Sequence, residues 1–149
     1  MKKRILTSLL SILILASAFA VAQSSTPVAV RLEIYIVSMI DGEEQFKEAT
    51  EARPGQVVEY RLFAVNGGDT TLPGGAVQIL GPVPDGTTYV SESATPTSEV
   101  VLTEYTEDGS NFTDSEQGLA YSAVRWTVLS DMEPNDEEAF VYRVTVNKN

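Results

Sequence analysis

From Val28 to Met39 apolar side chains recur at every second position: Val28, Val30, Leu32, Ile34 and Ile36 alternate with Ala29, Arg31, Glu33, Tyr35 and Val37. A period of two puts successive side chains on opposite faces of an extended chain, so this segment is predicted to be a half-buried strand. Asp41-Gly42 follows, a pair that tolerates the positive φ of a tight hairpin turn, which sends Glu43–Ala52 back as an exposed edge strand. The Glu, Gln, Lys and Ala content of Glu43–Ala52 also suits a helix, the rival reading there. Arg53-Pro54-Gly55 turns the chain into Gln56–Asn66, where Val58, Tyr60, Leu62 and Ala64 share one face of a predicted central strand. Beyond the loop Asn66–Asp69, a short strand is expected at Ala76–Leu80. A Pro-rich turn without ladder hydrogen bonds follows at Gly81–Gly86, then a strand at Thr87–Ser91. Val100–Tyr105 and a return through Asn111–Thr113 flank a second Asp-Gly pair, Asp108-Gly109, and predict a second hairpin. Tyr121–Leu129 and Ala139–Val146 are the last strands, joined by the loop Ser130–Glu138.

No segment holds a helical period. Short strands with turn signals every ten or so residues predict an all-β protein, an antiparallel sandwich or barrel. Trp126, the only tryptophan, alternates with Val124 and Val128 and is predicted to plug the core. Phe140, Tyr142, Val144 and Val146 read the same way, as does Tyr60 on the apolar face of its strand.

The N-terminus breaks this pattern. Lys2, Lys3 and Arg4 precede an apolar run, Ile5–Leu15, and the small-residue exit Ala20-Val21-Ala22 precedes Gln23. Cations, a short apolar stretch and small residues at the exit make a secretory signal peptide, cleaved to leave a protein that begins near Gln23. The apolar run is shorter than the ~20 residues a bilayer span needs. There is no cysteine to carry a lipid and no pilin signature, so the expected setting is periplasmic, cell-surface or extracellular.

Composition then narrows the chemistry. The 127 residues that remain (149 less 22) suffice for one domain. Three of the ten Lys and Arg residues leave with the leader and all twenty-one acids stay, so the formal charge falls from −11 to −14. Such a surface repels nucleic acid and anionic lipid. Histidine and cysteine are both absent, which removes disulfides, thiolate nucleophiles, Ser-His-Asp arrangements and the usual zinc, copper and haem ligands. Carboxylate pairs remain as catalytic chemistry, together with a Ser-Lys dyad for which Lys47 and Lys148, both in polar surroundings, offer no desolvated base. No catalytic residue and no cofactor are assigned.

Arg53-Pro54-Gly55-Gln56-Val57-Val58-Glu59-Tyr60-Arg61-Leu62-Phe63-Ala64-Val65-Asn66-Gly67-Gly68, Pro82–Val90, Val124–Leu129 and Phe140–Val146 together resemble the DUF11 family, a repeat domain of bacterial and archaeal envelope proteins. The resemblance runs from about Asp41 to Val146 and is to the single-domain exported type. Two turns depart from the family pattern, Gly81-Pro82-Val83-Pro84 and Pro134-Asn135, and both substitutes still turn the chain, since Asn tolerates positive φ. The resemblance implies an immunoglobulin-like antiparallel β-sandwich of about seven to nine strands in an envelope setting, and no catalytic residues.

Two acidic loops carry the remaining candidate chemistry. Glu107–Glu116 packs acids and side-chain oxygens, with Asp108, Asn111, Asp114 and Glu116 as candidate calcium ligands; Phe112 stands where an EF-hand needs an oxygen. Asp131, Glu133, Asp136, Glu137 and Glu138 form the second, and the two cooperate only if they share one end of the fold. Asn111-Phe112-Thr113 also fits a glycosylation sequon. The expected function is an exported, non-catalytic interaction or structural module whose partner is an envelope protein or glycan. One alternative is a homopolymeric surface or matrix subunit, joined by strand addition through Val28–Met39 if that strand lies on an edge, with calcium as a candidate requirement. The other is a carboxylate-based carbohydrate-active enzyme.

Overall fold

A computed structural model describes residues 13–14, 27–118 and 120–148. The predicted leader, residues 1–22, lies outside the described residues except for Leu13–Ile14. The described chain is all β: β1 (Leu13–Ile14), β2 (Val28–Ile40), β3 (Glu43–Glu48), β4 (Glu51–Ala52), β5 (Val57–Asn66), β6 (Val77–Pro82), β7 (Thr87–Tyr89), β8 (Val101–Thr106), β9 (Ala123–Val128) and β10 (Glu137–Val146). One antiparallel sheet has the order β3-β2-β5-β10-β7, a second the order β6-β9-β8, and β1 pairs with β4. The two larger sheets face each other across a common core, as in a β-sandwich.

The alternation that predicts the strands also sorts their faces. Along β5, Val58, Tyr60, Leu62 and Ala64 point into the core at 0–3 % exposure, and β5 lies at the centre of its sheet as expected. Trp126 is fully buried, its ring 5.5 Å from Phe140 and 5.8 Å from Tyr142. Tyr60 stacks on Tyr142 at 5.1 Å, and the Tyr142 hydroxyl donates to the Pro82 carbonyl at 2.5 Å. Gly81 makes this packing possible: a Cβ there would lie 2.7 Å from Tyr142 and 2.9 Å from Trp126.

Asp41 and Gly42 adopt φ of 52° and 83°, so the first hairpin forms as predicted, and Asn135 takes φ 70° in the last turn. Three expectations are corrected. The return strand is broken, because Ala49 and Thr50 separate β3 from β4. The Pro-rich turn does join the ladder: Pro82 accepts a place opposite Ala123, and the Val83 amide donates to Ser122 O. Proline lacks only the donor, so its carbonyl and the next residue's amide stay available. The second Asp-Gly hairpin is reduced to one bridge, Tyr105 to Thr113, because the Asp108 side chain, not a returning strand, takes up the amides of the loop. Finally, β2 is an edge only in part: β5 flanks Val28–Val37, β3 flanks Tyr35–Ile40 and the Ala49 amide donates to Ile34 O, so that among the described residues only Val28–Glu33 has no strand on its other side.

Candidate functional site

The loop after β8 builds a cleft of about 340 Å³ at one end of the sandwich, lined by Tyr105, Tyr121, Glu107, Asp108, Asn111 and Gln117 among others. Two tyrosines, Tyr105 and Tyr121, form its aromatic wall, and Tyr89 packs behind them. Tyr105 and Tyr121 lie 5.2 Å apart, and Tyr89 meets them at 5.9 and 5.5 Å. Burial pushes the Tyr89 and Tyr105 hydroxyls above the ordinary tyrosine range. Tyr121 is fixed by the Gly118 amide, which donates to its hydroxyl at 2.5 Å. A Cβ on Gly118 would come within 2.6 Å of Glu107 Oε1 and 2.7 Å of the Tyr121 ring, so only glycine lets the wall pass here.

Asp108 holds the rim together. Its Oδ1 accepts from the Ser110 and Asn111 amides at 2.8 and 2.7 Å and from the Thr106 hydroxyl at 3.1 Å, and its Oδ2 accepts from Asn111 Nδ2 at 2.6 Å. The two amide bonds, then the Asn111 side chain, hold its carboxyl well below the usual carboxylate range. A group so held stays ionised and lacks the proton a general acid must donate. Phe112 turns back from the loop and lies under the Arg125 guanidinium at 3.8 Å, and Arg125 is itself bonded to Glu104 at 2.7 and 2.9 Å. The residue that breaks the calcium pattern in the sequence is thus the anchor of the loop on β9.

Among the four calcium candidates, Asp108 and Asn111 bond to each other, while Glu116 reaches away to accept from the Glu92 amide at 2.8 Å. Asp114 is exposed on the same loop. Among the described residues no group of three or more acids is placed to hold a metal ion. The second acidic loop serves as a clasp. Asp131 accepts from the Gly74 amide at 2.9 Å, Glu133 from the Thr71 hydroxyl at 2.8 Å, and Asp136 from the Glu133 amide at 2.8 Å. The two loops cannot cooperate. The first enters β9 beside Ala123 and the second leaves it after Val128, so they sit at opposite ends of that strand, roughly 20 Å apart at the rise of a β-strand.

The sequence reading misses the outer face of the five-stranded sheet. Glu59, on that face of β5, is only 3 % exposed, because it accepts from Arg61 Nε at 2.6 Å and Arg143 Nε at 2.7 Å. Arg143 also forks onto Glu44 of β3 at 2.6 and 2.8 Å. The Arg61 guanidinium lies over Tyr35 at 4.4 Å and Phe46 at 4.8 Å, and Arg31 over Phe63 at 3.9 Å. The visible signal is the repeated spacing of two between Arg31 and Glu33 and between Glu59 and Arg61, which puts opposite charges on one face of one strand.

No family model, no curated protein and no solved structure matches this chain.

Proposed function

We propose that the chain is an exported, non-catalytic β-sandwich of immunoglobulin-like, DUF11-like type that serves as an interaction module of the cell envelope and contacts a glycan through the loop-end cleft. The observation that carries this reading is the lining of that cleft. Tyr105 and Tyr121, 5 % and 8 % exposed, give the cleft an aromatic wall for the apolar side of a sugar, while Asn111, Gln117 and Glu107 line it with polar groups that suit its hydroxyls. The lining is held by the Phe112–Arg125 stack and the Asp108 bonds, so little order is left to be gained on binding. The absence of histidine and cysteine from the sequence supports the non-catalytic reading.

The test is a titration of the exported protein with soluble fragments of envelope polysaccharide and peptidoglycan, followed by backbone NMR. Shifts confined to residues 105–121, and lost in Asn111→Ala with Gln117→Ala, are the expected result. Shifts elsewhere, or crosslinking of the cleft to an envelope protein with no response to any glycan, count against it.

A further inference from the structure

We infer that the processed chain forms a two-fold dimer with a second copy of itself through the inner side of the β2–β3 hairpin. This inference rests on the reading of the chain as exported with its leader removed.

The hairpin outruns the sheet that carries it. The last β2–β5 pair is Val37 with Val57, so Ser38, Met39 and Ile40 pair with β3 alone. Ile34, 8 % exposed in the core, fixes the phase of β2, and alternation then puts Ile36, Ser38 and Ile40 on the same side. Register sets Lys47 opposite Ile36, Gln45 opposite Ser38 and Glu43 opposite Ile40. The inner side of the hairpin is therefore a strip with Ile36 and Lys47 at its base and Ile40 and Glu43 at its tip. Ile40 is 55 % exposed. At the base the strip opens into a recess of about 390 Å³ whose walls include Ile36, Lys47, Ala49, Glu51, Ala52 and Arg53, two cations against one acid.

This surface is complementary to itself. The base carries the cations Lys47 and Arg53, and the tip carries the anions Asp41 and Glu43. Ile36 and Ile40 are four residue steps apart, about 13 Å of strand. Turning a second copy about a two-fold axis lays the hairpins antiparallel, so that Ile40 and Glu43 of each copy meet Ile36 and Lys47 of the other. Both recesses fill at once, which closes the assembly at two copies and leaves no end to grow from. In the unprocessed chain the edge of β4 beside this recess is paired: Leu13–Ile14 runs antiparallel to it, with Ile14 opposite Glu51 and Leu13 opposite Ala52. Removal of the leader frees that edge, so dimerisation follows processing.

The experiment exports the full-length chain, reads leader removal by intact mass, and measures solution mass by light scattering. The processed protein is expected at twice its monomer mass. Ile40→Lys, at an exposed position that leaves the fold intact by circular dichroism, is expected to weaken the dimer about 100-fold or more. Glu43→Lys weakens it too, and adding Lys47→Glu restores it, because the swap re-pairs the charges across the axis. A processed monomer, an open-ended polymer, or a dimer indifferent to Ile40→Lys overturns the inference. A chain that keeps its leader refutes the export reading on which it rests, and the intact mass tells that failure apart.

Discussion

Replacing Glu59 with glutamine probes the most deeply placed charge among the described residues. Its carboxylate, 3 % exposed, binds one guanidinium with each oxygen. Hydrogen bonds to charged groups are worth about 1.5–3 kcal/mol each. Glutamine keeps one oxygen for one arginine and turns an NH₂ donor toward the other. One such bond is lost and a donor is set against a cation. Breaking a fully buried pair costs about 3–5 kcal/mol, but the Arg61 and Arg143 side chains are 30 % and 25 % exposed, so water screens part of the unpaired charge. Glu59→Gln is therefore expected to destabilise the fold by about 2–3 kcal/mol.

Urea unfolding measures this as a fall in midpoint at constant slope. Arg143→Gln and the double variant complete a cycle whose coupling energy is about 1–2 kcal/mol. Because Arg143 also forks onto Glu44, Arg143→Gln alone should speed amide exchange in β3, whereas Glu59→Gln should not. A Glu59→Gln variant within about 0.5 kcal/mol of the parent, the range of ordinary surface changes, refutes the claim that this network supports the sheet.

Gly81→Ala should cost about 1–3 kcal/mol, since its methyl meets the packed rings of Tyr142 and Trp126, and calorimetry would show a lowered Tm; an unchanged Tm refutes that packing. Burial pushes the Tyr60 hydroxyl up to about 12 and Tyr142 well above its ordinary value. Unfolded tyrosines ionise near 10 while these stay protonated, so their contribution is full below pH 10 and lost as the pH rises toward 12. Absorbance titration should show them ionising only with unfolding, and reversible ionisation of every tyrosine in the folded state would contradict this. Asp108 has the opposite sign: its lowered carboxyl contributes above the ordinary value of 3.8 and loses that contribution as pH falls below it. Asp108→Asn should flatten the acid limb for amides 108–111, read by hydrogen exchange, and an unaltered limb sinks the assignment. Gly118→Ala should displace the Tyr121 ring and close the cleft while leaving both sheets intact, a loss of glycan response without a loss of fold.

The strands are legible in the sequence because burial imposes its period directly: inward positions of β2, β5, β9 and β10 are apolar wherever the facing sheet covers them. The turns are legible where one residue type meets a backbone demand, as at Asp41-Gly42 and Asn135. Side-chain competition for backbone amides is less so. Asp108-Gly109 carries the hairpin signature, yet the Asp108 carboxylate collects the loop amides itself and leaves one bridge where a strand is expected. The outer-face network is hidden for another reason. Glu59 and Arg61 are neighbours on one strand face, but Arg143 lies 84 residues away and enters only through the β5–β10 register. The cleft is half legible, since its acids stand out while the role of Phe112 as the anchor under Arg125 depends on how the loop folds back.

The placement of the cations bears on where such an acidic protein can meet a partner. Arg31, Arg61, Arg125 and Arg143 each lie over an aromatic ring on an outer sheet face and each reach a carboxylate. They are spent within the molecule. Lys47 and Arg53 line the hairpin recess, and Lys148 lies against the Gly55 turn beside it. Two copies at a formal −11, or −14 on the proposed removal of the leader, repel each other at any random approach, over a range set by a Debye length of about 8 Å at physiological salt. An approach that brings the acidic hairpin tip of each to Lys47 and Arg53 of the other is an orientation in which that repulsion is locally relieved. High net charge here disfavours indiscriminate association and leaves a narrow geometry open, which is the condition for the defined dimer proposed above.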